Sequence, residues 1–264
     1  MRTIAIFNLK GGVGKTVTAI NTAAGLAALG KRVLVVDADS QCNTTEFFGA
    51  GDGEHNLASL LQRSRAIMDK PQQWIKRMAG GRAWIRLCIL PGSDMLMDLD
   101  LSAVGMAAVH PARLAELLTL LERELALDYV LIDCPPSFTA ASVAALMAAG
   151  EVIVPIKLDA FSLSGMTNLL RQVQNMRRIN PQLAVRGCLI TMYGKDPAIL
   201  QAERTLAEFP QLPVFRSRIR RSPKVDGMTF AGEPLQIYSP RSAAGQDYNA
   251  FVRELMEVEQ NGRV

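Results

Sequence analysis

Between Leu9 and Ala23 the chain reads LKGGVGKTVTAINTA, a stretch that leaves the fold around it little choice. A short apolar run, Thr3 to Phe7, leads into it. Beyond it, Ile20, Ala23, Ala24 and Ala27 recur at the i, i+3, i+4, i+7 spacing of one helix face. The glycines therefore sit where a strand turns into a helix. Gly11, Gly12 and Gly14 let the backbone curl with its N–H groups inward, and the helix N-terminus adds positive potential, so the turn suits an anion. Lys15 would reach the β- and γ-phosphates of a nucleotide as a point charge, and the Thr16 hydroxyl would ligate Mg²⁺. The common spacing G-x-x-x-x-G-K-[ST] puts its first glycine at Leu9, so this is a variant, and it carries a lysine of its own, Lys10.

The rest of the chain alternates apolar strands with amphipathic helices. RVLVVD (Arg32 to Asp37), Leu87 to Leu90, YVLID (Tyr129 to Asp133), Val152 to Ile156 and Val185 to Met192 read as strands, with a short one at Val214-Phe215. Helices are expected near Leu57 to Gln62 and after His110-Pro111, where Leu114, Leu117, Leu118, Leu121 and Leu125 share a face. Others are expected at Ser137 to Ala149, Ser162 to Ile179, Ala198 to Glu208 and Asp247 to Glu259, while the polar segment Ser64 to Arg82 gives no assignment. Such alternation predicts an α/β fold, a doubly wound, mainly parallel sheet with ligands at the carboxyl ends of its strands. With 264 residues, 49% of them hydrophobic, the chain is expected to form a single P-loop domain over 1–264.

KGGVGKT, with a lysine before the paired glycines, resembles the deviant Walker A motif of the ParA/MinD group of P-loop ATPases. The resemblance implies ATP and Mg²⁺ as ligands, backbone contacts from Lys10, Gly11, Gly12, Val13, Gly14, Lys15, Thr16 and Val17, and a Lys10 that reaches across an ATP-sandwiched homodimer to the partner's nucleotide. Val17 stands where the group commonly has a second hydroxyl, so a side-chain contact to the α-phosphate is lost. Asp133 in YVLIDCPPS looks like a Walker B aspartate that holds Mg²⁺ through water. Asp37 and Asp39, in VVDADSQCN, resemble the signature D-x-D-P-Q-x-N. By that likeness Asp37 helps hold the metal with Thr16 and Asp133, and Asp39 orients or deprotonates the attacking water. Lys10, Lys15 and Asp39 are thus the catalytic candidates. Cys42 replaces a usual glycine and would be strained if φ there is positive.

DCPP (Asp133 to Pro136), Thr191-Met192-Tyr193 and the tail FAGEPLQIYSPRSAAGQDYNAFVREL are similar to the partitioning ParA/Soj branch. Where that branch commonly has I-P-R-N, this chain has Ile219-Arg220-Arg221-Ser222. The likeness implies an ATP dimer that binds DNA without sequence preference and is driven off by a centromere-binding, ParB-like partner that stimulates hydrolysis. The charge distribution agrees: net charge is +4, yet Arg171 to Lys224 alone holds 11 Lys and Arg against 3 Asp and Glu. Lys195, Arg216, Arg218, Arg220, Arg221 and Lys224 are the expected DNA contacts.

Two relatives of the same group provide alternatives. A MinD-like membrane ATPase should end in a basic amphipathic helix, whereas ELMEVEQNGRV would face lipid with Glu254, Glu257 and Glu259. An electron-transfer ATPase of the nitrogenase iron protein type needs cysteines for an Fe–S cluster, and Cys134 lacks that family's surrounding glycines and spacing. The four cysteines form no C-x-x-C pair, so neither a disulfide framework nor a zinc site is signalled. No 18-residue apolar run or signal sequence is found, and a cytoplasmic, nucleoid-associated protein is expected. Because the first strand begins at the start of the chain, an N-terminal helix-turn-helix domain is not expected.

Overall fold

The computed structural model describes residues 1–51, 53–62, 70–78, 86–101, 109–209 and 211–261. Among them, eight strands form one sheet: β1 (Arg2–Ile6), β2 (Val33–Asp37), β3 (Lys76–Arg77), β4 (Leu87–Leu90), β5 (Tyr129–Asp133), β6 (Glu151–Lys157), β7 (Ala184–Tyr193) and β8 (Val214–Arg220). Their spatial order is β3-β4-β2-β5-β1-β6-β7-β8, and every neighbouring pair is parallel except β3 with β4. The helices are, in chain order, α1 (Lys15–Ala28), α2 (Asn43–Phe47), α3 (Leu57–Gln62), α4 (Leu96–Leu101), α5 (Ala112–Leu125), α6 (Ala140–Ala148), α7 (Ala160–Met176), α8 (Pro197–Ala207), α9 (Lys224–Ala231), α10 (Leu235–Tyr238) and α11 (Ala243–Asn261).

Side chains of a strand alternate between faces, and in the central strands both directions are apolar, which forces helices onto both sides of the sheet. Ile4, Ile6, Val33, Val35 and Leu131 face a layer made of α1, α9, α10 and α11. Ala5, Leu34, Val36, Val130 and Ile132 face the layer made of α3 to α8. In α5 the expected stripe is the buried one, with Leu114, Leu117, Leu118 and Leu121 all inside. The doubly wound, mainly parallel sheet is therefore present. It places the turn after β1 between the ends of β5 and β6, in the middle of the sheet.

The structure differs from the sequence reading in several places, and α2, α9 and α10 have no counterpart in it. Residues 64–82 are described only from 70 to 78, which hold a short 3₁₀ turn (Pro71–Trp74) and the two-residue strand β3. Helix α4 was not expected, because LMDLDL is too short for a periodic signal. The strand expected at Val214-Phe215 continues through Arg220, so Arg216, Arg218 and Arg220 belong to an edge strand. Its Arg-Ser-Arg-Ile-Arg alternation is a period of two with cations in place of the outward polar residues.

An edge strand exposes backbone donors, and α11 satisfies several of them. Glu254 accepts the backbone N–H groups of Arg216 (2.7 Å) and Ser217 (2.8 Å), and Asp247 accepts that of Arg220 (2.9 Å). Glu257 forms an ion pair with Arg216. Glu254 and Glu257 therefore work on β8, while the side chain of Glu259 lies outside the described residues. No helix among the described residues is long and apolar enough to cross a membrane. Replacing the buried Glu254 with Ala leaves two edge donors without their acceptor. It is expected to cost roughly 1–3 kcal/mol in urea unfolding, with Glu254→Gln recovering part of the loss; an unchanged unfolding midpoint would remove this cap from the description.

Candidate functional site

The turn between β1 and α1 is held open by its neighbours. Gly12 (φ 69°) and Gly14 (φ 83°) adopt left-handed backbone that a side chain would strain, and a Cβ added at Gly11 or Gly12 would meet nothing within 4 Å. Asn8 ties the start of the loop down: its Nδ2 donates to Pro155 O (2.8 Å) while its Oδ1 accepts from Lys10 N (3.0 Å). At the other end the Thr191 hydroxyl donates to Val13 O (2.8 Å). The N-cap residue, Gly14, has no side chain to cap α1, so the positive end of the helix faces the concavity of the loop.

Lys15 is buried in this loop, and its Nζ donates to Lys10 O (3.0 Å). Burial lowers its pKa, against the opposing pull of Asp133 and Asp39. Lys10 has an acid partner that the motif did not reveal. Its Nζ lies 2.6 and 2.7 Å from the two carboxylate oxygens of Asp159, which stands between β6 and α7.

Facing the loop are two buried carboxylates. Asp37 and Asp133 end β2 and β5 in direct register, so the sheet itself sets them side by side. Each is supplied with donors by α2. Thr44 Oγ1 donates to Asp133 Oδ2 (2.7 Å), and Thr45 gives Asp37 Oδ2 both its N–H (2.8 Å) and its hydroxyl (2.7 Å). The Thr45 hydroxyl also accepts Gly92 N (2.8 Å), which binds the end of β4 to the same cluster. Gly92 presses so closely on Asp37 that an added Cβ would sit 3.0 Å from Asp37 O. Among the described residues, Asp133 Oδ1 is buried with no hydrogen-bond partner.

A buried carboxylate oxygen without a donor is costly unless something positive completes it. Asp133, Asp37 and Thr16 are oxygen donors of the kind a hard divalent cation takes, and they stand beside an open anion cradle. The residues present therefore fit Mg²⁺ bound together with a phosphate chain.

Asp39 is more exposed than these two. Its Oδ1 accepts from Gln41 N (3.0 Å), and it borders a cavity of about 160 Å³ lined also by Ser40, Gln41, Pro135, Pro136 and Ser137. Cys42 does take a left-handed conformation (φ 53°) at the start of α2, the strain expected where a glycine is usual. Cys134 is fully buried, and burial with the adjacent Asp133 charge holds its thiol well above the usual range, which removes it as a surface ligand for a cluster.

The six expected DNA contacts fall into two groups. Arg216 is paired with Glu254 and Glu257, Arg218 with Glu203, and Arg220 with Asp247. Lys195, Arg221 and Lys224 are exposed and form no ion pair among the described residues. Asn8, Thr44, Thr45, Gly92, Asp159 and Thr191 are the site residues that the sequence reading did not assign. A polar residue directly after an apolar run, as Asn8 and Thr191 are, was the available signal.

Residues 1–185 match a family model described as an AAA domain. Chromosome partitioning protein ParA of Caulobacter vibrioides is 34% identical over 271 residues, covering 99% of this chain and 96% of its own. Chromosome-partitioning ATPase Soj of Thermus thermophilus is 34% identical over 258 residues, covering 97% and 96%. Among solved structures, cobyrinic acid a,c-diamide synthase of Mycobacterium smegmatis with bound ADP and magnesium superimposes with a TM-score of 0.79 at 26% identity, covering 100% of this chain and 97% of its own.

The acid pair makes stability depend on pH. Burial pushes Asp133 up to about 7, with the Asp37 charge adding and the Thr44 and Thr16 hydroxyls opposing. Burial pushes Asp37 up to about 6 against its bonds from Thr45 and Asp39. Both folded values lie above the unfolded one, so the fold binds protons more tightly than the open chain, and stability measured without nucleotide should rise as pH falls from about 7 toward 4. Asp133→Asn is expected to be more stable than the wild type at pH 8 and to show a flatter profile of thermal midpoint against pH. Parallel profiles for the two proteins would contradict the assignment.

Proposed function

Because the chain belongs to the ParA/Soj family of P-loop partitioning ATPases, we propose that it hydrolyses ATP with Mg²⁺ and uses the cycle to bind and release DNA. The observation that supports this most is the uncapped end of α1 and its open glycine loop facing two buried carboxylates, one with an unpartnered oxygen. On this reading the backbone from Lys10 to Val17 cradles the phosphates, Lys15 meets the β- and γ-phosphoryl oxygens, and Thr16, Asp37 and Asp133 hold Mg²⁺. The cation, when bound, neutralises charge on the phosphate oxygens. Asp39 keeps a carboxylate oxygen free of Gln41 and places the attacking water in line, which is most of what phosphoryl transfer asks of a side chain. Lys10 serves the nucleotide of a second subunit, so ATP and dimer formation are linked.

Affinity for DNA then follows from doubling one subunit's cations. Lys195 and Arg221 stand beside the ends of β7 and β8, and Lys224 opens α9, so the unpaired cations share one end of the sheet. Release on hydrolysis, stimulated by a centromere-binding, ParB-like partner, completes the cycle and would keep the protein on the nucleoid.

Two experiments test this reading. Asp39→Ala is expected to keep ATP affinity yet lose turnover by about 10²–10⁴-fold, whereas Lys15→Gln should weaken ATP binding itself by roughly 10- to 100-fold through loss of a charged hydrogen bond. Wild-type turnover in the first or wild-type affinity in the second would remove that residue from its role. For DNA, random duplex should bind with ATP and not with ADP, and affinity should fall steeply with salt. Lys195→Ala or Lys224→Ala should each lower the salt slope by about 2, because the dimer loses one cation from each subunit. An unchanged slope, or equal binding with ADP, would return these cations to an ordinary solvated surface.

A further inference from the structure

Lys10 and Asp159 are both anchored from behind. The Lys10 backbone is fixed at its N–H by Asn8 and at its carbonyl by Lys15. Asp159 follows β6, which is paired on one side with β1 and on the other with β7. The ion pair therefore joins two rigid pieces of backbone 149 residues apart, both oxygens of the carboxylate facing one ammonium. A lysine held in this way cannot simultaneously extend to a nucleotide across a subunit boundary.

We propose that Asp159 is a positioning residue for Lys10, holding it within its own subunit and thereby setting how readily ATP-bound subunits pair. This rests on the reading of Lys10 as acting in trans. The two side chains are 33% and 31% exposed, so water screens the pair and its contribution is a few-fold in an equilibrium. That is enough to disfavour pairing in the absence of a competitor. It is small beside the attraction of the polyphosphate of a second subunit, several negative charges in a site that closure would dehydrate. A more deeply buried pair would hold Lys10 permanently, and a fully exposed one would not hold it at all.

The test measures dimer formation by light scattering over a protein concentration series with Mg²⁺ and a slowly hydrolysed ATP analogue. Asp159→Asn, which keeps the shape and removes the charge, is expected to dimerise at about threefold lower protein concentration. Asp159→Glu should return the midpoint toward the wild type. ADP affinity and thermal midpoint should stay unchanged in both, since damage to the glycine loop would move them together with dimerisation. An Asn variant that is folded, binds ADP normally and dimerises no better than the wild type would overturn the role of Asp159. Lys10→Ala separates the two layers. If it fails to dimerise while Asp159→Asn behaves as the wild type, Lys10 acts in trans without this control. If it dimerises normally, the trans reading falls and the role of Asp159 falls with it.

Discussion

Two carboxylates forced side by side at the ends of neighbouring strands are the constraint to which the rest of the site answers. Register places Asp37 against Asp133, and burial removes the water that would screen them. Like charges so placed raise each other's cost of ionisation, and a fold tolerates them by supplying donors, a cation or a proton. Helix α2, five residues long, supplies donors to both through Thr44 and Thr45. The residue that precedes it, Cys42, takes a strained conformation, and Gly92 must lack a side chain to let β4 approach. The unpartnered oxygen of Asp133 is what remains after the protein's own donors are used.

The same economy of charge runs through the far edge of the sheet. The surplus of arginine in the second half of the chain looks, in one dimension, like a single basic surface. In the fold, Arg216, Arg218 and Arg220 extend along β8 and meet carboxylates from α8 and α11, and two of those on α11, Glu254 and Asp247, also serve the strand's backbone. Exposed pairs of this kind add little stability, but they consume the charge locally. The cations left without an ion pair among the described residues are the smaller set at the ends of β7 and β8 and the start of α9.

Much of this was legible from residue order because it rests on local physics. A glycine turn between an apolar run and a helical stripe, two apolar strands each ending in Asp, and the leucine face of α5 are short-range patterns, and the fold keeps them all. Residues whose roles depend on distant partners were not legible. Thr44 and Asp133 are 89 positions apart and Lys10 and Asp159 are 149 apart, so neither threonine nor acid announces its partner. The length of β8 was missed because arginines stood where apolar residues normally mark a strand. Cys42 was readable only against a pattern that has glycine there, and its φ of 53° agrees with that comparison.

The acid pair and the glycine loop form one site only if a divalent cation joins them through the nucleotide. The direct measurement is the affinity of a fluorescent ATP analogue with Mg²⁺ and with EDTA, for the wild type and for Asp133→Asn. Mg²⁺ should tighten binding to the wild type, and that gain should disappear in the variant while its affinity in EDTA is kept. An equal gain from Mg²⁺ in both proteins would mean that the cation is held without Asp133, and the pairing of these two halves would be wrong.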